Sequence, residues 1–470
     1  MTEISDSATK KLQGNAPGNA GDPKDSGSPT WVRWQIVGLL GIIAALTYLD
    51  RLNLSIAGEY IQNEFAFSTQ TMGWILSSFM LGYALFQVPV GWLGDRFGPR
   101  NLLVIALLWW SLFTAATAIA PNLPLAGWFG VAWSFAIVRF LIGVGESATF
   151  PNSNKVVALW LSKEHRAVGN SLPFAGVGLG GAVTPLLIAW IMRNWGWRVS
   201  FFICGLAGIV VAVIWRLYAT NTPEEHRRVN AKEIELIRGH KPAPAAHAPA
   251  TTPPRPSPPW GRIFRSVSVW GMLLSAVCMA YPVYIFFTWF FIYLIKVRGM
   301  TLEQAGVWGC APFLAIAILA PIGGWFSDRA VKKFGARTGR RIGMWVGMGC
   351  SAPFLWLGSH AVNNMLAIML LAGAAGFNFF STSSIWAACI DLAPNYSGSL
   401  SGLMNTFGQL GGWLSPILTA YLATRFGWTH ALDFAALVSL GSASFFMLVD
   451  ADRSIEEDSP LPTAQGSEAL

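Results

Sequence analysis

Apolar runs of roughly 18 to 25 residues recur from one end of this 470-residue chain to the other, and each is long enough to cross about 30 Å of hydrocarbon. Inside a bilayer every backbone N–H and C=O must find its partner within the protein, which leaves helices or a closed barrel. The runs lack the period-two alternation of barrel strands, so helices are the expectation. Only 12% of the residues are charged, about half the share in a soluble domain, which removes an ordinary soluble enzyme from consideration. Twelve spans are read: 34–56, 71–94, 101–119, 125–150, 168–192, 198–218, 268–295, 302–326, 341–358, 363–388, 398–421 and 429–449.

With both termini placed inside, about 24 of the 32 Lys and Arg fall in inner segments, as the positive-inside rule requires. The net charge of +8 is thus a topology signal, and because the basic residues sit in short loops no nucleic-acid partner is expected. Residues 1–30 are polar and rich in Gly, Ser, Pro and Asp, and the tail 451–470 is acidic; both are expected to be disordered and cytoplasmic. No apolar core lies near Met1, so the first span is expected to serve as an uncleaved anchor. The five cysteines show neither a disulfide framework nor a metal spacing, and the six histidines fall in loops or at span ends. No cofactor or metal is expected.

The pattern repeats. "GWLGDR" (Gly91–Arg96) returns as "GWFSDR" (Gly324–Arg329), "LGGAVTP" ending at Pro185 as "LGGWLSP" ending at Pro416, and "WGWR" around Trp197 as "FGWT" around Trp428. The first pair is offset by 233 residues and the others by 231, so the chain reads as two six-helix halves in the same orientation, the parallel-repeat arrangement of transporters. The expected division is 31–218, a linker at 219–267, and 268–450. In the linker, "PEEHRRVNAKEIELIRGHK" reads as a short surface helix and "PAPAAHAPATTPPRPSPP" as a spacer. A GxGxxG match at Gly176–Gly181 lies inside an apolar span with no preceding strand, and reads as helix packing through small residues, not as a nucleotide site.

Four ionisable residues lie well inside the spans: Asp50 and Arg51 in the first, Arg139 and Glu146 in the fourth. Each raises the insertion free energy by roughly 2.5–3.5 kcal/mol at mid-helix, so they must face protein or a water-filled cavity. At 100° per residue Thr47, Tyr48, Asp50, Arg51 and Ser55 share an arc of roughly 160°. Arg139, Gly143 and Glu146 form one stripe, its two charges about 10 Å apart along the axis and not required to pair. Arginine keeps its proton, so Arg51 suits an anionic substrate; a desolvated carboxylate such as Glu146 suits a coupling proton. Structural ion pairing between the two helices is the alternative. The C-terminal half offers hydrogen-bonding or stacking groups instead: Tyr281, Tyr284, Asn378, Ser381, Thr382, Ser383, Ser384, Trp386, Asn405 and Gln409.

"GWLGDRFGPRN" resembles the signature loop of the major facilitator superfamily. "YLDRLNLS", "RFLIGVGESATFP" and "GLMNTFGQLGGWLSP" are similar to its anion:cation symporter family, which includes bacterial hexuronate, galactonate and glucarate carriers and the animal sialin and vesicular glutamate transporters. The resemblance covers residues 30–450. It implies an all-α membrane protein with twelve transmembrane helices in two pseudo-symmetric six-helix bundles. It also implies a monomeric, proton-coupled carrier of a small organic anion such as a sugar acid, in a bacterial inner membrane. Asp50 and Glu146 become proton-coupling sites; Arg51, Tyr48, Tyr83, Arg139, Tyr284, Ser383, Trp386, Asn405 and Gln409 become substrate-binding. Gly91, Asp95, Arg96 and Arg100 of the signature loop, with Asp328 and Arg329 of its repeat, become the cytoplasmic gate, where Asp95 can meet a helix N-terminus of the other half. Some sugar-acid carriers of this family place amides on helices five and seven. Here "PFAGVGLGG" and "YPVYIFFTWF" hold none, which leaves the anion open. A transporter-like receptor needs a larger output region than this linker and tail, and an enzyme needs a nucleophile with a base, which the spans lack.

Overall fold

The computed structural model describes residues 28–239 and 257–456. The N-terminal half contains α1 (Val32–Glu64), α2 (Thr69–Phe97), α3 (Pro99–Ala118), the short α4 (Pro124–Phe129), α5 (Val131–Glu146), α6 (Thr149–Trp160), α7 (Arg166–Trp195) and α8 (Trp197–Tyr218). The connection carries α9 (Ala231–Arg238) and α10 (Trp260–Arg265). The C-terminal half contains α11 (Val267–Thr288), α12 (Phe290–Lys296), α13 (Leu302–Trp308), α14 (Ala311–His360), α15 (Asn364–Leu392), α16 (Ser397–Phe426) and α17 (Trp428–Phe446). Each half makes six passes. The fourth is α5 with α6, and α14 holds the eighth and ninth, separated at Gly335, whose φ of 80° is outside any helix.

The repeated pair WGWR and FGWT ends helices. Gly196 and Gly427 close α7 and α16 with φ of 82° and 92°, a left-handed conformation that costs glycine little, and the tryptophan that follows each starts the next helix. Caps begin others: the Ser68 hydroxyl accepts from Thr71 N at 3.1 Å, and Thr301 and Gln304 form a reciprocal capping box.

Some helices outrun their apolar stretch. The fourth pass, read as 125–150, continues to Trp160 although "PNSNK" is polar, because Asn152, Ser153, Asn154 and Lys155 are buried against neighbouring helices and never meet lipid. The tail read as disordered is docked over 451–456, where Ile455 N donates to Leu392 O (2.9 Å) and satisfies a helix-end carbonyl. Most of the remaining disorder expectations, 1–27 and 457–470, and most of the Pro/Ala spacer, lie outside the described residues. The expected surface helix of the linker is α9; its buried Glu233 accepts from Arg33 N (3.1 Å) and Arg33 Nη1 (3.0 Å), tying linker to the start of α1.

The halves meet through one pairing used twice. α2 packs on α16, and its repeat equivalent at the start of α14 packs on α7, the equivalent of α16. Small residues allow the approach: a Cβ on Gly398 would lie 2.7 Å from Gly91 O, and one on Gly324 would lie 2.7 Å from Ala167 O. The GxGxxG glycines do the same work on α7. A Cβ on Gly176 would lie 2.0 Å from Gly41 O of α1, and one on Gly178 would lie 2.5 Å from Ala317 N of α14.

Candidate functional site

A cavity of about 110 Å³ lies between the halves, lined by α1, α2, α6 and α7 on one side and α11, α15 and α16 on the other. Arg51 is the one basic side chain lining it among the described residues. Its Nε donates to Glu146 Oε2 at 2.8 Å, and its guanidinium lies over the rings of Tyr83 (4.5 Å), Phe79 (4.9 Å) and Tyr48 (5.4 Å). This aromatic sleeve fixes the arginine by cation–π contact while Nη2 remains without a hydrogen-bond partner. Glu146 is fully buried, and its second oxygen, Oε1, is also unpartnered.

Arg139 and Asp50 stand behind this pair. Arg139 is buried, lies 5.0 Å from the opposite neighbour of Arg51, the Phe79 ring, and does not line the cavity. Asp50 is buried within electrostatic reach of Glu146, Arg139 and Arg51. The helical turn of about 100° between adjacent residues sends Asp50 into the N-terminal bundle while Arg51 faces the cavity, so the shared arc read from the sequence splits in two.

Across the cavity Tyr284 donates to Gln409 Oε1 (2.6 Å), and Asn405 Nδ2 donates to Gln87 Oε1 (2.8 Å) and to Tyr83 Oη (3.3 Å), joining α16 to α2. Tyr48, Tyr83, Tyr284, Trp386, Asn405 and Gln409 therefore come together with Arg51. Ser383 does not: its hydroxyl bonds Ala320 O (3.4 Å) and joins α15 to α14, the ordinary use of a serine between helices. Gln87, Phe150 and Phe174 belong to the site region and were not singled out from the sequence. A glutamine within an apolar run was a signal for the first, and nothing distinguished the phenylalanines.

Toward the face where the described chain begins and ends, each half caps a helix of the other. Asp95 accepts from Gly398 N (3.1 Å), Ser399 N (2.7 Å) and Ser399 Oγ (2.7 Å), at the start of α16. Its repeat, Asp328, accepts from Ala167 N (3.0 Å) and Val168 N (2.8 Å), at the start of α7. The acceptors are 233 residues apart and the donors 231, the same offsets as the sequence motifs. Lys155 reaches Asp95 (3.0 Å) and Asn395 O (2.5 Å). Arg340 bridges Asp328 (2.8 Å) and Asp391 (3.0 Å), and Arg166 crosses to Asp391 (2.6 Å). Gly91 packs at this junction. Arg96 and Arg329 do not enter it; they are exposed beside Trp92 and Trp325. Arg100 stays within the N-terminal half, donating to Arg216 O at 2.7 Å. Lys155, Arg166, Arg340 and Asp391 were read as loop residues because hydropathy alone ends a span where charge begins.

Two repeated six-helix bundles around a central cavity, closed at one face by reciprocal caps, are the architecture of a membrane carrier. Residues 40–416 match the Major Facilitator Superfamily, and the chain belongs to that family of transporters. It is 28% identical over 420 residues to the "Probable sulfoacetate transporter SauU" of Cupriavidus necator, covering 88% of this chain and 94% of that one. It is 31% identical over 415 residues to the "Probable anion transporter 1, chloroplastic" of Oryza sativa subsp. japonica (87% and 74%). It is 28% identical over 432 residues to the "Probable galactarate/D-glucarate transporter GudP" of Bacillus subtilis (90% and 93%). In fold it is similar to the proton:xylose symporter XylE (TM-score 0.68, 16% identity, 90% of this chain and 98% of that one) and to the Escherichia coli fucose:proton symporter FucP (0.66, 14%, 89% and 98%).

Proposed function

We propose that the chain is a proton-coupled symporter of an organic anion, a sugar acid or related carboxylate, working as a monomer by alternating access in a bacterial inner membrane, with the capped face toward the cytoplasm. The observation that carries this reading is Arg51: a permanent cation set against the cavity, held by a single hydrogen bond to a buried carboxylate and with Nη2 free. The names of the relatives, which refer to sulfoacetate, galactarate and D-glucarate, support an anion as cargo.

Asp50, Arg51, Arg139 and Glu146 sum to zero charge when all are ionised. Protonation of Glu146 removes the counter-ion of Arg51 and leaves one uncompensated positive charge beside the cavity. A substrate carboxylate then pairs with the guanidinium, whose planar fork makes arginine a carboxylate binder. Return of the proton to the opposite side restores the Arg51–Glu146 bond and expels the anion. Asp50, beside Arg139, is the second group able to hold a proton. Each net positive charge carried inward gains about 2.3 kcal/mol per 100 mV of membrane potential.

The test is uptake of labelled sulfoacetate, glucarate and related acids into proteoliposomes, with and without an inward proton gradient. Arg51→Ala is expected to weaken apparent affinity about 10- to 100-fold, the effect of removing charge-assisted hydrogen bonds of about 1.5–3 kcal/mol. Unchanged affinity contradicts the anion-anchor role.

A further inference from the structure

The wall facing Arg51 is poor in free hydrogen-bonding groups and rich in rings. Phe150 and Phe174 stack at 5.4 Å with 9° between their planes, and Trp386 lies 6.0 and 5.7 Å from them; Phe379 extends the surface at 5.8 Å from Phe174. Toward the other face Phe287 stacks on Phe313 (5.6 Å, 2°) and meets Tyr48 and Tyr284 at 5.8 and 5.9 Å. Met279, Val283 and Met404 fill the gaps.

Most of the polar groups among these are already engaged, and Asn378 Oδ1 is buried without a partner. Thr382 Oγ1 and Ser381 Oγ both donate to Asn378 O, Asn378 Nδ2 donates to Met279 O (3.1 Å), Gln409 Oε1 is taken by Tyr284, and Asn405 Nδ2 by Gln87 and Tyr83. Gln409 Nε2 and Asn405 Oδ1 are left to meet a substrate. A polyhydroxylated acid brings several hydroxyls, and each one buried without a partner costs about 1–3 kcal/mol. A diacid brings a second carboxylate, and the second arginine of the region, Arg139, does not line the cavity. Buried charge without a partner is costlier still.

We infer that the site selects monocarboxylates with a flat, apolar or aromatic body and at most one or two further polar groups, over polyhydroxylated sugar acids and diacids. The carboxylate sits on Arg51, the ring lies against the Trp386, Phe174 and Phe379 surface, and a further polar group meets the Gln409 and Asn405 amides. This rests on the anion-carrier reading above and, within it, favours the related carboxylates over the sugar acids. Aromatic stacking and area burial set the preference, and a ring is worth more here than the hydroxyls it replaces.

The test is binding to the purified full-length protein in detergent, read by thermal shift and calorimetry, so that leakage of weak acids across lipid does not enter. The probes are 4-hydroxybenzoate, phenylacetate and indole-3-acetate against gluconate and glucarate. At least tenfold tighter binding of the aromatic series is expected, with Trp386→Leu removing that margin and Trp386→Phe keeping most of it. Tighter binding of gluconate or glucarate to the wild-type protein overturns the substrate class and leaves the anion-carrier reading standing. Binding of neither series overturns the substrate class alone, and aromatic binding unaffected by Arg51→Ala overturns both.

Discussion

At the scale of single residues, the site is built from a few groups that the bilayer forbids elsewhere. Asp50, Arg51, Arg139 and Glu146 were visible in the sequence because a charge within an apolar run is costly and therefore rare. Their pairing was not visible, since helical periodicity fixes angles around one axis and says nothing of the distance between two. Arg139 and Glu146 share a stripe of one helix, yet Glu146 bonds Arg51 from another, and Arg139 lies by the Phe79 ring away from the cavity lining. The arginine itself matters beyond its charge. A lysine at this position keeps the charge but loses the planar fork and the stacking on Tyr83 and Phe79. Arg51→Lys is therefore expected to retain measurable transport with apparent affinity reduced about tenfold, in line with loss of one charge-assisted bond of about 1.5 kcal/mol or more. Wild-type affinity in that variant, measured by initial-rate uptake, argues against bidentate capture.

At the scale of elements, the reciprocal caps explain why the "GDR" and "SDR" motifs recur at one offset. Each aspartate supplies an acceptor to backbone N–H groups that the start of a helix in the other half leaves unsatisfied. The repeat was legible, as was the chance of Asp95 meeting a helix N-terminus. That Asp328 does the equivalent with α7 needed the fold. The flanking arginines shared the motif but not the geometry, because neighbours on a helix point in different directions. Replacing a cap removes about 0.5–2 kcal/mol from the closed junction. Asp95→Asn and Asp328→Asn should each raise the accessibility of a cysteine placed at Ser401 to a membrane-impermeant maleimide added from the capped face, and the double variant should raise it further. No change in labelling rate removes the gating role of the caps.

At the scale of the whole molecule, two halves of one pattern have diverged in chemistry while keeping their packing. The N-terminal half carries the buried charges around the cavity, and the C-terminal half supplies rings, amides and hydroxyls. The twelve passes and the two bundles were legible from hydropathy and repetition. Span ends were not, because hydropathy cannot tell a charged residue in water from one sealed between halves, as with Lys155 and Asp391. Closure depends on backbones meeting at Gly91 and Gly398. A leucine at Gly91 has no space in the closed junction, so Gly91→Leu should hold the halves apart at this face. Spin labels across α2 and α16 should then report a longer distance distribution than in the wild type, and transport should fall at least tenfold with the protein still folded.

In the mechanism proposed above, Glu146 is the group whose protonation releases Arg51 to the substrate. Its most direct test compares two activities of Glu146→Gln in proteoliposomes. The neutral amide mimics the protonated acid, so exchange of internal for external substrate should persist, while accumulation driven by a proton gradient should fall to the level of passive equilibration. Gradient-driven accumulation equal to that of the wild-type protein would contradict the account.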